Sequence, residues 1–190
     1  MTLAYVALGS NLGNPRQQVL DAMAALAGLP DTRVLRRSAL YRTPPWGVLE
    51  QPPFVTAVVE LDTALSPPAL LQELLALEQR AGRVRAERNG PRTLDLDLLH
   101  VDGVQLDHPQ LTLPHPRMAE RAFVLLPLHD VAPALCLPGL GCVAELLSRV
   151  DPAGCERLVA PELAIRHRIR KYRVRAKRQW PRSQAGDRTA

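Results

Sequence analysis

Lysine is missing from the first 155 residues of this chain. Their positive charge comes entirely from thirteen arginines, set against sixteen acidic residues, for a net charge of −3. The sequence pI of about 9.6 belongs to another stretch: residues 156–190 hold eleven basic and three acidic side chains, a net of +8. A positive field of the kind that draws a protein to nucleic acid is therefore lacking in the main domain and confined to the tail. Aromatic residues are also scarce, at 4%, so few rings are available to pack against a flat ligand. No apolar run approaches the ~18–20 residues that a membrane-crossing helix needs. The opening residues, Met1 to Val6, place no basic stretch ahead of an apolar one, so no secretory leader is read there. The three cysteines, Cys136, Cys142 and Cys155, are odd in number, have no C-x-x-C spacing and no paired histidine. They read as small core or surface residues in a reducing compartment, and the expected location is cytoplasmic.

What is present is enough apolar material for a core, at 46% of residues, in a length that suits one domain of residues 1–155. Leu3–Leu8 is a short apolar run that predicts a buried first strand. Asn14-Pro15 supplies an N-cap and a proline for the first helical position, and Gly28 and Pro30 stop that helix. Val34–Tyr41 and Phe54–Leu61 have strand character. Ser66-Pro67-Pro68 repeats the capped helix start, Leu70, Leu74, Leu77 and Ala81 form its apolar stripe, and Gly82 closes it. Arg83–Arg92 holds four arginines and almost nothing apolar, and reads as a solvated loop. Thr93–Val101 returns to strand, a helix is predicted near Arg117–Leu126 with Pro127 as punctuation, and Val143–Val150 predicts a last helical stretch. The order strand, helix, strand, strand, helix, strand predicts an α+β, ferredoxin-like (split βαβ) sandwich, an antiparallel-dominated sheet with helices on one face. Residues 156–190 form a basic C-terminal extension, disordered or helical. Ile165, Ile169, Tyr172 and Ala176 could line one side of a basic helix, yet few apolar residues offset the cost of ordering it.

Three groups of residues carry chemistry. On a strand, side chains two apart share a face, so Asp95 and Asp97 stand side by side while Leu94, Leu96 and Leu98 turn to the core. Adjacent carboxylates repel unless something positive lies between them, and a hard cation such as Mg²⁺ takes carboxylate and phosphate oxygens together. A lone D-x-D is equally compatible with two exposed aspartates. Arg83, Arg85, Arg88 and Arg92 come just before the pair. Guanidinium forks bind phosphate oxygens bidentately, although a solvated basic loop has the same composition. His115, stiffened between Pro114 and Pro116, and Arg121 add donors downstream. Finally, Thr43-Pro44-Pro45-Trp46-Gly47 is a stiff loop carrying one of the rare rings, with Phe54 and Phe123 available as core residues or as walls for a flat ligand. Gly9-Ser10-Asn11-Leu12-Gly13 lacks the G-K-[ST] ending and is no P-loop.

In order and spacing, these stretches closely resemble the 6-hydroxymethyl-7,8-dihydropterin pyrophosphokinase family of folate biosynthesis. The matching blocks are Ala7–Gly13, Tyr41–Gly47, Gly82-Arg83-Val84-Arg85, Gly90-Pro91-Arg92-Thr93-Leu94-Asp95-Leu96-Asp97, Leu113–Arg117, Arg121-Ala122-Phe123 and Pro127-Leu128. The resemblance covers residues 1–150 and implies a ferredoxin-like fold. It implies a reaction that moves the β,γ-pyrophosphoryl group of ATP onto the pterin hydroxymethyl group, releasing AMP. It makes Asp95 and Asp97 the ligands of two Mg²⁺ ions, and gives Arg83 and Arg92 a part in the transfer. Glu78, Arg85, Arg88, Arg92, Leu98, His115 and Arg121 would form the ATP site. Thr43, Pro44, Pro45, Trp46, Phe54, Thr56 and Phe123 would hold the pterin. Partners are then the two substrates, with no membrane, nucleic acid a candidate for the basic tail and not for the core, and a monomeric chain. Three departures stand out: Asn89 replaces a tryptophan of many relatives, Thr56 replaces an asparagine, and the Arg83–Arg92 loop is one residue shorter than in some of them. Three other readings remain: a different nucleotide-using transferase on the same fold; an RNA-binding ferredoxin-like module, which would need exposed aromatic positions on its strands; and the same enzyme with its tail as a docking element for another folate enzyme or for nucleic acid.

Overall fold

Both Xxx-Pro signals start helices. In the computed structural model, which describes residues 1–47, 49–82 and 90–159, the Asn14 side chain accepts from Gln17 N at 3.2 Å and opens α1 (Pro15–Leu26). Ser66 accepts from Ala69 N and opens α2 (Pro67–Arg80). Satisfying orphan N–H groups in this way is why a hydroxyl or amide followed by proline marks a helix start. Strand β1 (Thr2–Ser10) lies between β4 (Phe54–Thr63) and β5 (Asp95–Val101), antiparallel to both. Strands β2 (Thr32–Arg37) and β3 (Leu40–Thr43) both pair with β4, and the main sheet runs β10-β3-β4-β1-β5. This is the split βαβ order expected of a ferredoxin-like sheet.

The strand predicted over Val34–Tyr41 is broken in two. Arg37 faces Val59 and Tyr41 faces Thr56, so residues 38–40 oppose only 57 and 58. Ser38 fills the irregularity: its N–H donates to Val58 O and its Oγ accepts from Val58 N, both at 2.9 Å. An extra residue on one strand bends it and interrupts the ladder, and periodicity alone does not reveal it.

Helices cover two faces of the sheet, where the sequence predicts one. Ala4, Val6 and Leu8 of β1 pack with Leu96 and Leu98 of β5 and with the stripes of α1 and α2. Tyr5, Val58 and Leu99 point the other way, under α3 (Ala122–Val131) and α4 (Val143–Leu147). The reason is written in β4, where Thr56 to Leu61 is buried without alternation; a strand that is apolar on both sides needs cover on both. A buried polar link holds the second layer. Tyr5 Oη donates to Glu60 at 3.1 Å, Arg36 Nε lies 3.3 Å from the same carboxylate, and Arg36 Nη1 donates to Val131 O at the end of α3.

The helix predicted near Arg117–Leu126 becomes a 3₁₀ turn (Met118–Glu120) followed by α3, which contains Pro127 instead of ending at it. Without an N–H, Pro127 leaves the carbonyl of Phe123 without its helical donor. Thr56 Oγ1 takes the place, at 3.5 Å. Short strands β6 (Leu106–His108) and β7 (Leu111–Leu113) form one hairpin, and β8 (Cys136–Leu137) and β9 (Gly141–Cys142) another. The second hairpin corrects the cysteine reading: Cys136 lies opposite Cys142 with Cα atoms 3.8 Å apart, and the two are disulfide-bonded, while Cys155 is free. Strand β10 (Glu156–Leu158) pairs with β3, so the folded unit runs from Met1 to Val159, past the boundary expected at 155. Among the described residues no helix is long and apolar enough to cross a membrane.

Candidate active site

The alternation that buries Leu96 and Leu98 sends Asp95 and Asp97 to the opposite face, where β1 contributes two small residues, Ala7 and Gly9. Gly9 lies between Asp95 on β5 and Thr56 on β4, and Ala7 between Asp97 and Val58. With so little side chain at Ala7 and Gly9, the sheet forms the open floor of a cleft of about 620 Å³, a volume suited to small-molecule ligands. Glu78 from α2, Arg92 and His115 stand around the carboxylate end. Thr43, Pro44, Trp46, Phe54, Thr56 and Phe123 stand around the other, with Arg121 between.

At the carboxylate end, burial and then the charge of Asp95 push the Asp97 carboxyl up to about 6, against the pull of Arg121 and Arg92. Two carboxylates forced together in a cleft are a site made for positive charge. Among the described residues no group of three or more His, Cys, Asp or Glu side chains could hold a metal. A divalent ion on this pair would therefore draw its remaining oxygens from a ligand and from water. Arg92 forms an ion pair with Asp95. Glu78, 3% exposed, accepts from Leu96 N at 2.8 Å and so satisfies the outer edge of β5 beside the aspartates. His115 accepts from Arg117 N through Nδ1 at 3.3 Å, and burial followed by the charges of Arg121 and Arg117 lowers it to about 4. Its ring is thus neutral at pH 7 with the proton on Nε2, a donor to an anion.

At the aromatic end, Trp46 and Phe123 are 6.0 Å apart and tilted by 55°. The Arg121 guanidinium sits 5.9 Å from the first ring and 5.6 Å from the second, a cation–π arrangement. Thr43 Oγ1 and Arg121 Nε are buried with no partner among the described residues. Buried polar atoms are nearly always satisfied, so two orphans in one cleft mark where a ligand's polar atoms belong.

Asn11 ties the pieces together. Its N–H donates to Arg92 O at 3.0 Å and its Oδ1 accepts from Arg92 N at 2.8 Å. Its Nδ2 donates to Gln51 Oε1 and to Pro52 O, each at 3.0 Å. One 3% exposed amide thus joins the end of β1, the approach to β4 and the approach to β5. Asn11→Ala is expected to destabilise the fold by about 1–3 kcal/mol, the cost of buried partners left unpaired, and to lower turnover through Arg92. Asn11→Asp should restore only the contact to Arg92 N, because a carboxylate has no donor for Gln51 or Pro52. Thermal unfolding and kcat of the two variants check both statements.

Twelve of the residues singled out in the sequence line this one cleft: Thr43, Pro44, Trp46, Phe54, Thr56, Glu78, Arg92, Asp95, Asp97, His115, Arg121 and Phe123. Pro45 is half-buried beside it. The Leu98 side chain is in the core, 3% exposed. Arg83, Arg85, Arg88 and Asn89 lie outside the described residues. Gln72, Gln110 and Arg117 also line the cleft, unforeseen in the sequence. For α2 a signal existed: Leu71, Leu75 and Glu78 recur at helical spacing beside the core stripe. Among the described residues helices pack on both faces of the sheet, and the part of it left open is the floor of this cleft.

A family model described as 7,8-dihydro-6-hydroxymethylpterin-pyrophosphokinase (HPPK) matches residues 5–133. A 2-amino-4-hydroxy-6-hydroxymethyldihydropteridine pyrophosphokinase of Methylorubrum extorquens is 47% identical over 158 residues, 83% of this chain and 99% of that protein. One of Pseudomonas aeruginosa is 51% identical over 154 residues, 81% and 95% of the two chains. Among solved structures, Plasmodium falciparum HPPK-DHPS with pteroate superposes with a TM-score of 0.67 at 13% identity, over 89% of this chain and 53% of that one. The same protein with SDX-DHP gives 0.64 at 14%, over 84% and 48%. The chain spans about half the length of those solved chains, whose likeness shows the shared fold. The matched residues 5–133 contain β4, β5, the part of β1 from Tyr5 onward and every cleft-lining side chain named above, and the chain belongs to the 7,8-dihydro-6-hydroxymethylpterin-pyrophosphokinase family.

Proposed function

We propose that this chain transfers the β,γ-pyrophosphoryl group of ATP to the hydroxymethyl oxygen of 6-hydroxymethyl-7,8-dihydropterin, giving the pterin diphosphate and AMP, a step of folate biosynthesis. One observation carries the reading: an aspartate pair and an aromatic-walled pocket with an orphaned hydroxyl face each other across Gly9 on one sheet. A triphosphate belongs with the charges and a flat heterocycle with the rings, so the two reacting groups meet above Gly9.

Asp95 and Asp97 are the residues that would hold Mg²⁺, as two ions on the family pattern, and the elevated Asp97 carboxyl fits a site completed by a cation. When bound, such ions neutralise phosphate charge and fix the angle of attack. Arg92, held by Asn11, and Arg121, whose Nε is unpartnered, supply guanidinium groups for phosphate oxygens. Neutral His115 donates a hydrogen bond through Nε2 without adding charge. Arg83, Arg85 and Arg88, which lie outside the described residues, belong to the anion site in this reading on the family pattern, and Leu98, with its side chain in the core, contributes through its backbone. Thr43 Oγ1 reads the polar edge of the pterin, Trp46, Phe54 and Phe123 enclose its faces, Thr56 lies in the floor beside Gly9, and Pro44 and Pro45 stand at the rim. Holding alcohol and phosphorus in line removes the entropic cost of a bimolecular encounter, which can be worth about 7–11 kcal/mol. This reading places the enzyme in the cytoplasm as a monomer, where a reducing environment would open the Cys136–Cys142 bridge, which takes no part in lining the cleft.

Turnover of ATP should require the pterin, cease when EDTA removes divalent ions, and return on adding Mg²⁺ in excess. ATP consumption that ignores the pterin or survives EDTA would contradict the assignment.

A further inference from the structure

The loop that carries Thr43 and Pro44 has two sides. The inner side lines the cleft. The outer side meets a C-terminal strap, residues 151–158, which lies beyond the family-matched stretch 5–133. The strap begins with a tight turn, in which Ala153 N donates to Asp151 Oδ1 at 2.9 Å and Cys155 N to Pro152 O at 3.0 Å. It continues as β10, pairing Glu156 with Arg42, Arg157 with Tyr41 and Leu158 with Leu40. Without β10, the four-residue β3, which ends in Thr43 and leads directly into Pro44, would be the sheet edge. A further clamp comes from Asp130 on α3, which accepts from Tyr41 Oη at 3.0 Å and from Ala39 N at 3.1 Å, and lies 3.8 Å from Arg157.

Gly154 is where the strap touches the substrate loop. Its φ is +78°, and a Cβ built there would stand 3.4 Å from Pro44 Cγ and 3.6 Å from Cδ. The backbone of the turn therefore lies against the proline ring with room for no more than a van der Waals contact from a Cβ, so a longer side chain directed at the ring presses Pro44 toward the cleft. We infer that the strap is a positioning element for the pterin: Gly154 backs Pro44 from outside, and β10 fixes the strand that delivers Thr43 and Pro44 to the site. This rests on the reading that the pterin lies against Thr43 and Pro44. Gly154 is a positioning residue, acting through Pro44 and not through the substrate.

Gly139 provides a matched control. It has the same kind of conformation, φ +74°, with nothing within 4 Å of a Cβ, so a substitution there costs the same backbone strain without touching Pro44. Asparagine tolerates this left-handed region best among longer side chains, so Gly154→Asn and Gly139→Asn are compared in the full chain, with Gly154→Ala as a milder version. Steady-state kinetics should show KM for the pterin raised about tenfold in Gly154→Asn, the equivalent of about 1.4 kcal/mol of lost binding. KM for ATP should stay within about twofold, Gly154→Ala should fall between, and Gly139→Asn should match the unaltered chain in both constants. Equal pterin KM values in Gly154→Asn and Gly139→Asn, at matched melting temperatures, would overturn the positioning role. Thr43→Val separates the two levels of the argument. A raised pterin KM there together with a silent Gly154→Asn refutes the strap alone, whereas an unchanged pterin KM in Thr43→Val removes the pterin from this loop and the inference with it.

Discussion

Asp97→Asn is expected to reduce turnover by roughly 10³-fold or more while making the ligand-free protein more stable. The loss follows from taking one carboxylate out of the pair that holds the ions, whose stabilisation of transferring phosphate charge is worth several kcal/mol. The gain follows from the site's electrostatics. Burial, and then Asp95, push the Asp97 carboxyl from 3.8 to about 6, so between those pH values the folded state binds more protons than the unfolded chain. Stability from this group therefore falls as pH rises from about 4 to about 6, and the full penalty persists above that range. At pH 7.5 the asparagine variant should gain about 1–3 kcal/mol, the upper figure being two pK units converted directly. Near pH 4 the two proteins should agree. Adding Mg²⁺ and ATP should reverse the order, since ligand binding stabilises only the form that binds it. Melting curves at pH 4 and 7.5, with and without ligand, check each part.

Gly9→Val is expected to leave the fold intact and remove about 10²–10³-fold of kcat/KM. A Cβ at Gly9 would meet Phe54 Cδ1 at 3.8 Å and Asp95 Cβ and Thr56 Cγ2 at 4.0 Å, ordinary contacts in a strand. A β-branched residue suits that backbone. Its methyl groups, however, rise from the floor exactly between the aspartate pair and the pterin pocket, where the alcohol and the phosphorus must meet, and a misplacement near 1 Å can cost 10²-fold. Circular dichroism and thermal unfolding should resemble those of the unaltered protein, with Gly9→Ala intermediate in rate. Full activity in Gly9→Val would place the reaction elsewhere.

Much of this is legible in the sequence because it rests on local rules. Strand alternation separates Asp95 and Asp97 from Leu96 and Leu98, and cap chemistry places the starts of α1 and α2. The residues that escape such reading depend on long-range partners. Asn11, met only as part of a glycine-rich turn that is no P-loop, acquires its role from residues 40 to 81 positions away. Pro127 reads as a helix stop, yet it sits inside α3 because Thr56 on another element takes up the carbonyl it strands. The disulfide depends on a hairpin that brings Cys136 and Cys142 together, and no motif spacing announces it. Strand β10 looks like the start of a basic tail because its apolar content is a single leucine, Leu158, and its pairing is with β3, over a hundred residues earlier.

The central claim is that ATP is cut between its α- and β-phosphorus and the pyrophosphoryl group is delivered to an alcohol across Gly9. Phosphorus-31 NMR of the full chain with ATP, Mg²⁺ and 6-hydroxymethyl-7,8-dihydropterin follows every phosphate at once. The account predicts that AMP and the pterin diphosphate rise together in equal amounts as ATP declines. Accumulation of ADP or free pyrophosphate in their place, or spectra that do not change, would contradict it.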